Sequence, residues 1–249
     1  GKHVIITAGH SDAEREKDGI EFLESRRCDA LILYVFDVPD DYIHSLKKSS
    51  IPVVLIGRSV DGMEDDCVTL DNRHGGYVAT RSLIDAGHSA IACITGPLWK
   101  SDGRERFEGF KNALEEQGLQ VDPRLIVEGD YEEPSGRNGM QTLLQSGIPF
   151  TALVCANDEM AAGAIAEARN RSIVIPDDVS IVGYDNVFFT RYMNPQLSTV
   201  DYPIELMGRM AARCVLRDVY GHEDLEIHNR FEPELIRRES IARPGQGSA

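Results

Sequence analysis

The chain has 249 residues and a formal net charge of −15. That length suits one large α/β domain or two smaller ones. The acidic balance argues against this chain itself gripping nucleic-acid phosphates, which takes clustered Lys and Arg. No apolar run reaches the length of a membrane span, and no signal peptide is visible. Five cysteines (Cys28, Cys67, Cys93, Cys155 and Cys214) occur without C-x-x-C or H-x-x-x-H spacing. Buried reduced thiols in a cytoplasmic protein without a metal site fit that pattern.

The predicted elements alternate regularly. Val4–Thr7 reads as a strand, and Ser11 with Glu14 as a capping box opening a helix to about Arg27. Strand Ala30–Tyr34, helix Asp40–Lys48 and strand Pro52–Gly57 follow. Val68–Leu70 is a short strand ending at Asp71, and helix Gly75–Ala86 closes on Gly87. The pattern then restarts with strand Ala90–Thr95, helix Asp102–Gln117, strand Leu125–Glu128 and a helix capped by Ser135 that stops near Gly147. Thr151–Ala156 and Val179–Tyr184 are apolar strands enclosing the helical stretch EMAAGAIAEARNRS, a βαβ unit that requires a parallel sheet. Helix Ile204–Val219 leads into a tail with short strands around Glu226–Ile227 and Glu234–Ile236. Short connections and strict alternation predict doubly wound α/β. Two such runs, split near Gly87-His88, predict two similar subdomains with a cleft between them.

In open parallel sheets, ligands bind beyond the carboxyl ends of the strands. The strands of the second half end on Gly96-Pro97-Leu98-Trp99, Gly129-Asp130-Tyr131, Asn157-Asp158 and Asp185-Asn186. For any one of these a turn or cap is as common a role as ligand contact, and Asp158 reads as a cap. Arg106 borders the apolar face Phe107, Phe110, Leu114 in the first turns of its helix, where the dipole disfavours a cation. It serves either a salt bridge to Glu105 or Asp102, or a bidentate contact to ligand hydroxyls. An Arg, an Asp, an Asn and flat aromatics make a sugar site, although the same set holds a purine. Walker A, G-x-G-x-x-G after a strand and G-x-S-x-G are all absent. A pair among Asp71, Asp130 and Asp185, in the manner of glycosidases, is the remaining enzymatic reading.

The motifs CANDEMAAGA, IPDDVSIVGYDN, RYMNPQLSTVDYP and PELIRRES, in that order, resemble the ligand-binding core of LacI/GalR-family bacterial transcription regulators. GPLWKSDGRERFEGFKNAL fits the same template. The resemblance covers nearly the whole chain, and the galactose-repressor branch is most similar. It implies a periplasmic-binding-protein-like fold, with residues 1–87 plus 199–220 in an N-terminal subdomain and 88–198 plus 221–249 in a C-terminal one. It implies ligand contacts at Arg106, Asn157, Asp185 and Tyr131, a polar contact at Asp71 or His74, and further contacts at Tyr202 and Trp99.

Family members also carry a helix-turn-helix head, a hinge helix, and a first strand and helix ahead of the segment matching Lys2–Thr7. This sequence contains none of them, so its N-terminal half is expected to be one βα unit short. The expected protein is a cytoplasmic homodimer without cofactor or metal and with no enzymatic activity. It binds a small-molecule effector, a sugar, to control operator DNA through a head outside this chain, away from any membrane. The rival readings are a periplasmic sugar-binding transport receptor of the same fold, and a regulator that answers to a purine or to a phosphoprotein.

Overall fold

A computed structural model describes residues 2–10, 12–47 and 51–245. In chain order its elements are α1 (Ala13–Ser25), β1 (Leu31–Leu33), α2 (Asp40–Leu46), β2 (Val53–Ile56), β3 (Cys67–Leu70), α3 (Asn72–Asp85) and β4 (Ile91–Thr95). Then come α4 (Ser101–Glu116), β5 (Ile126–Glu128), α5 (Glu133–Gln145), β6 (Ala152–Cys155), α6 (Asp158–Asn170) and β7 (Ser180–Asp185). A 3₁₀ turn at Phe188–Tyr192 leads to β8 (Ser198–Asp201), α7 (Ile204–Tyr220), β9 (Arg230–Phe231) and β10 (Glu234–Ile236). The chain divides into two compact units: unit 1 is Gly1–Leu70 with Pro203–Phe231, and unit 2 is Asp71–Tyr202 with Glu232–Ala249. None of the described helices is long and apolar enough to cross a membrane.

Unit 1 holds a four-stranded sheet in the order β1-β2-β3-β9, parallel throughout. Ile20 and Leu23 of α1 and Ile43 of α2 meet Leu31, Leu33, Val53 and Leu55 of the strands in one apolar core. The expected strand Val4–Thr7 does not form: these residues join no ladder, and Val4 and Ile6 are 82% and 85% exposed. A strand needs a neighbour to satisfy its backbone, and here Thr7 and Gly9 lie against Gly19 and Glu16 of α1 instead of beside β1. The cap of α1 is Asp12, whose side chain accepts from Arg15 N; Ser11 lies outside the described residues. Glu16 is buried because its carboxylate accepts from the backbone N–H groups of Phe36, Asp37 and Val38, fixing the loop that leaves β1. The tail strand falls at Arg230–Phe231, paired in parallel with β3, and not at Glu226–Ile227.

Unit 2 holds a six-stranded sheet in the order β10-β8-β7-β6-β4-β5. All its ladders are parallel except β10 on β8. β4 and β6 are buried at every residue, as expected of strands covered by helices on both faces. Met140, Leu143, Leu153, Met160, Ala164 and Ile181 form the centre of its core. Helix α5 is entered from Glu132 with Pro134 in its first turn, which suits proline's missing N–H. Ser135 is therefore inside the helix and not its cap. Its hydroxyl donates to Glu132 O and accepts from Asp130 N.

Helix α3 belongs to unit 2, so the boundary lies at Leu70–Asp71 and not near Gly87-His88. The reason is a backbone contact between α3 and α4. A Cβ on Gly76 would meet Arg106 O at 2.0 Å, and one on Gly109 would meet Arg73 O at 2.0 Å. Only glycine permits that approach, and it brings Asn72 at the start of α3 beside Arg106 on α4. The chain leaves unit 2 after Tyr202, within the Ser198–Tyr202 stretch that the family resemblance implied, and returns at Glu232 where the resemblance implied a crossing near Gly221.

Candidate functional site

Arg106 is the centre of a cluster built entirely within unit 2. Its residue exposure is 8%, which is low for an unmodified charge. Nε donates to Asn72 Oδ1 at 3.0 Å and Nη1 to Ala156 O at 2.6 Å. Nη1 also lies 3.5 Å from Asp185 Oδ1. The guanidinium carbon is 3.7 Å from the centre of the Tyr184 ring and 5.8 Å from the rings of both Tyr131 and Tyr202. Burying a cation costs several kcal/mol. Charge-assisted hydrogen bonds worth about 1.5–3 kcal/mol each and a desolvated cation–π contact of about 2 kcal/mol offset it. Among the described residues, Nη2 has no hydrogen-bond partner.

Tyr131 follows β5 with a backbone φ of 76°, in the left-handed region. Three contacts hold it there. Asn157 Nδ2 donates to Tyr131 O at 2.7 Å. The Tyr131 hydroxyl donates to Asp102 Oδ2 at 2.9 Å. Its ring packs against Gly96, where a Cβ would come within 2.3 Å of it. Asn157 itself caps α6 by accepting from Met160 N at 3.0 Å, so both of its polar atoms serve the protein. Asp102 Oδ1 is buried with no hydrogen-bond partner, an arrangement native structures seldom leave without a donor. Burial pushes the Tyr131 hydroxyl up, so it stays a donor at any ordinary pH.

Asp185 ends β7 with φ 107°, and Asn186 follows with φ 56°. Burial pushes the Asp185 carboxyl up to about 6, against the downward pull of Arg106. Its side chain keeps 27% of its surface exposed, so solvent still reaches it. Beneath it, fully buried Asp158 accepts from Thr199 Oγ1 at 2.7 Å and from Val187 N at 3.0 Å. Burial pushes Asp158 up to about 7 while those two bonds hold it down. Asp158 thus pins the turn after Asp185 to β8, and faces inward.

The other predicted residues fall around this cluster. Tyr202 donates its N–H to Asp185 O at 3.4 Å and turns its ring toward Arg106. Asp71 is exposed and caps α3 by accepting from His74 N at 2.8 Å. His74 is exposed and its ring stacks on Tyr77 at 6.0 Å. Trp99 is 58% exposed on a loop held by Leu98 N donating to Glu128 and by Arg104 donating to Trp99 O. Neither His74 nor Trp99 touches Arg106, Tyr131 or Asp185 through a polar contact. Asp130 accepts from Glu132 N and serves a turn. Asn72, Tyr184 and Asp102 were not singled out from the sequence as members of the site. Tyr184 immediately precedes Asp185 on β7, so an aromatic next to a strand-end carboxylate was the available signal for it.

The donor and acceptor pattern suits a small polyhydroxylated or heteroaromatic molecule held by Arg106, Asp185 and Asp102 against Tyr131. Among the described residues there is no His/Cys/Asp/Glu group fit to hold a metal ion.

Comparison with known proteins agrees with this architecture. Residues 80–241 match the periplasmic binding protein-like domain family. The chain is 38% identical to HTH-type transcriptional regulator GalR of Escherichia coli (strain K12), over 98% of its own length and 71% of that protein. It is 37% identical to HTH-type transcriptional repressor PurR of Proteus mirabilis (strain HI4320), over 97% of its length and 72% of the relative. The crystal structure of a sugar-binding LacI-family regulator from Escherichia coli, complexed with phosphate, superposes with a TM-score of 0.89 at 31% identity, covering 96% of this chain and 86% of that one. These relatives are transcriptional regulators and not enzymes. The chain belongs to the LacI family of transcriptional regulators and forms its periplasmic-binding-protein-like, effector-binding core.

Proposed function

We propose that this core binds a small carbohydrate at the strand ends of unit 2, and that the bound sugar controls operator DNA. The DNA is held by a helix-turn-helix head outside this sequence. The observation that carries the reading is the layout around Arg106. Among the described residues its Nη2 has no hydrogen-bond partner, the Asp185 carboxylate stands 3.5 Å from Nη1, and Asp102 Oδ1 is a buried acceptor without a donor. Vicinal hydroxyls satisfy a donor flanked by two acceptors, and the Tyr131 ring offers a flat face for a pyranose C–H surface. Arg106, Asp185, Tyr131 and Asp102 are the contacting groups. Asn157 holds Tyr131 in place, and Tyr202 closes the side next to Asp185. Asp71, His74 and Trp99 are peripheral to this set. Palindromic operators call for a homodimer. Reduced cysteines, all five of them free, suit the cytoplasm.

Identity to the relatives does not choose the ligand, since GalR and PurR differ by one percentage point. A purine is therefore the second reading, favoured by the aromatic surroundings of Arg106. Isothermal titration of the full regulator with D-galactose, a panel of other monosaccharides and disaccharides, and hypoxanthine separates the two. A heat with a sugar and none with hypoxanthine is expected. Binding of hypoxanthine alone overturns the carbohydrate assignment.

A further inference from the structure

Asp185 and Asn186 occupy successive left-handed backbone positions, with φ of 107° and 56°. Asn and Asp enter this region more readily than other non-glycine residues, yet each position still carries strain and persists only where the surroundings over-determine it. What holds Asn186 is explicit. Its backbone N–H donates to Thr199 Oγ1 at 3.3 Å. Its Nδ2 donates to Asp201 Oδ1 at 2.7 Å, and its Oδ1 accepts from Arg238 Nη2 at 2.6 Å. Arg238 is anchored in turn, donating from Nη1 to Leu197 O at 2.6 Å and from its backbone N–H to Ser198 Oγ at 2.9 Å. Both polar atoms of the Asn186 side chain are thus used on β8 and the tail, and neither is bonded to Arg106, Tyr131 or Asp102. Glycine would adopt the same φ without strain, but it would lose both side-chain tethers.

From this we infer that Asn186 and Arg238 are positioning residues for the effector site. They lock the turn that aims the Asp185 carboxylate at Arg106, and so set effector affinity without touching the effector. The inference rests on the proposed role of Asp185 as an effector contact. It adds two residues to the site's support, one of them from the far C-terminal segment.

The test begins without ligand. Asp185 is followed by carbon-13 NMR titration of labelled aspartate in the full chain, in wild type, Asn186→Gly and Arg238→Lys. Neither substitution changes the net charge, so a shift reports geometry. Relaxation of the turn carries the carboxylate into water, and its midpoint is expected to fall from about 6 by at least about one pH unit toward the ordinary carboxylate range. Asn186→Gly removes strain but also both side-chain tethers, so its melting temperature is expected to fall, and the Asp185 midpoint in the folded variant is the readout that a merely structural tether would not move. In the second arm, D-galactose affinity is expected to weaken at least about tenfold in both variants. If wild type binds no sugar, the carbohydrate reading fails, and the titration midpoint still decides the positioning role. An unmoved midpoint in folded Asn186→Gly overturns the inference, as does wild-type galactose affinity in that variant. If Asn186→Gly does not fold, Arg238→Lys decides by the same two measurements.

Discussion

The guanidinium of Arg106 stacks on the ring of Tyr184 at 3.7 Å, while its edge is bonded to Asn72 and Ala156 O. One face and two edge nitrogens are thereby fixed by the protein. The remaining nitrogen, Nη2, is held at a set angle by bonds it does not itself make.

That geometry predicts a severe effect for the conservative change Arg106→Lys. An ammonium has no planar fork and cannot reach Asn72 Oδ1 and Ala156 O while stacking on Tyr184. Loss of one charge-assisted bond costs about 1.5–3 kcal/mol, so effector affinity is expected to fall by about tenfold to a hundredfold or more. Isothermal titration on the folded variant measures it, and retained affinity would remove Arg106 from the site.

Gly96→Ala tests the aromatic floor. The new methyl group would lie 2.3 Å from the Tyr131 ring, closer than any real contact, so the ring must move. Displacing it breaks the bond to Asp102 and withdraws the flat face. Effector binding is expected to weaken by about 1–2 kcal/mol, with a matching change in tyrosine fluorescence on titration. The double variant Gly96→Ala with Tyr131→Ala should bind no worse than Tyr131→Ala alone.

Effector affinity should also depend on pH through Asp185. In the proposed site its ionised carboxyl would accept from effector hydroxyls, and burial pushes that carboxyl up to about 6. Affinity is therefore expected to be level above pH 7 and to fall about tenfold by pH 5. Titrations across that window check it, and in Asp185→Asn the dependence should vanish along with most of the binding.

Asp158 gives a stability prediction of opposite utility. Burial pushes its carboxyl in the folded protein up to about 7, well above the ordinary carboxylate range. For a raised group the stabilising contribution is complete below the unfolded value and is lost as pH rises through the folded one. Wild type should thus lose stability from this residue between about pH 4 and pH 7. Asp158→Asn keeps an acceptor for Val187 N and supplies a donor to Thr199, and it does not titrate. Its melting temperature relative to wild type should climb as pH is raised from 5 to 8. A flat difference would show that Asp158 is not a buried titrating group.

Most of the architecture was legible in the sequence because it is local. Strand β6 and helix α6 announce themselves through an apolar run, Asn157 as a cap and a small-residue helical stretch. Where the reading slipped, a partner decided. Val4–Thr7 has the composition of a strand and no neighbour to pair with, whereas Arg230–Phe231 is unremarkable in sequence and pairs with β3. The strand-end rule pointed to Tyr131, Asn157 and Asp185, and helix polarity to Arg106, and the structure gathers all four around one point. It did not reveal Asn72, since that residue reaches Arg106 only through the glycine contact between α3 and α4. Nor could it show that Asn157 spends its side chain on α6 and Tyr131, because a cap and a ligand contact look alike in one dimension.

The bonds from Arg106 to Asn72 and from Tyr202 to Asp185 have one more implication. Asp71 and Tyr202 are the first and last residues of the long segment of unit 2: the Arg106 side chain is bonded to Asn72 beside its entrance, and the Asp185 backbone carbonyl to Tyr202 N–H at its exit. Replacing Arg106 to change effector preference would loosen the start of that segment, whereas replacing the Asp185 side chain leaves its backbone bond to Tyr202 in place. Asp102 and Tyr131, bonded to each other, make no bond to either end of that segment, and in the proposed site they are the contacts freest to change with the effector.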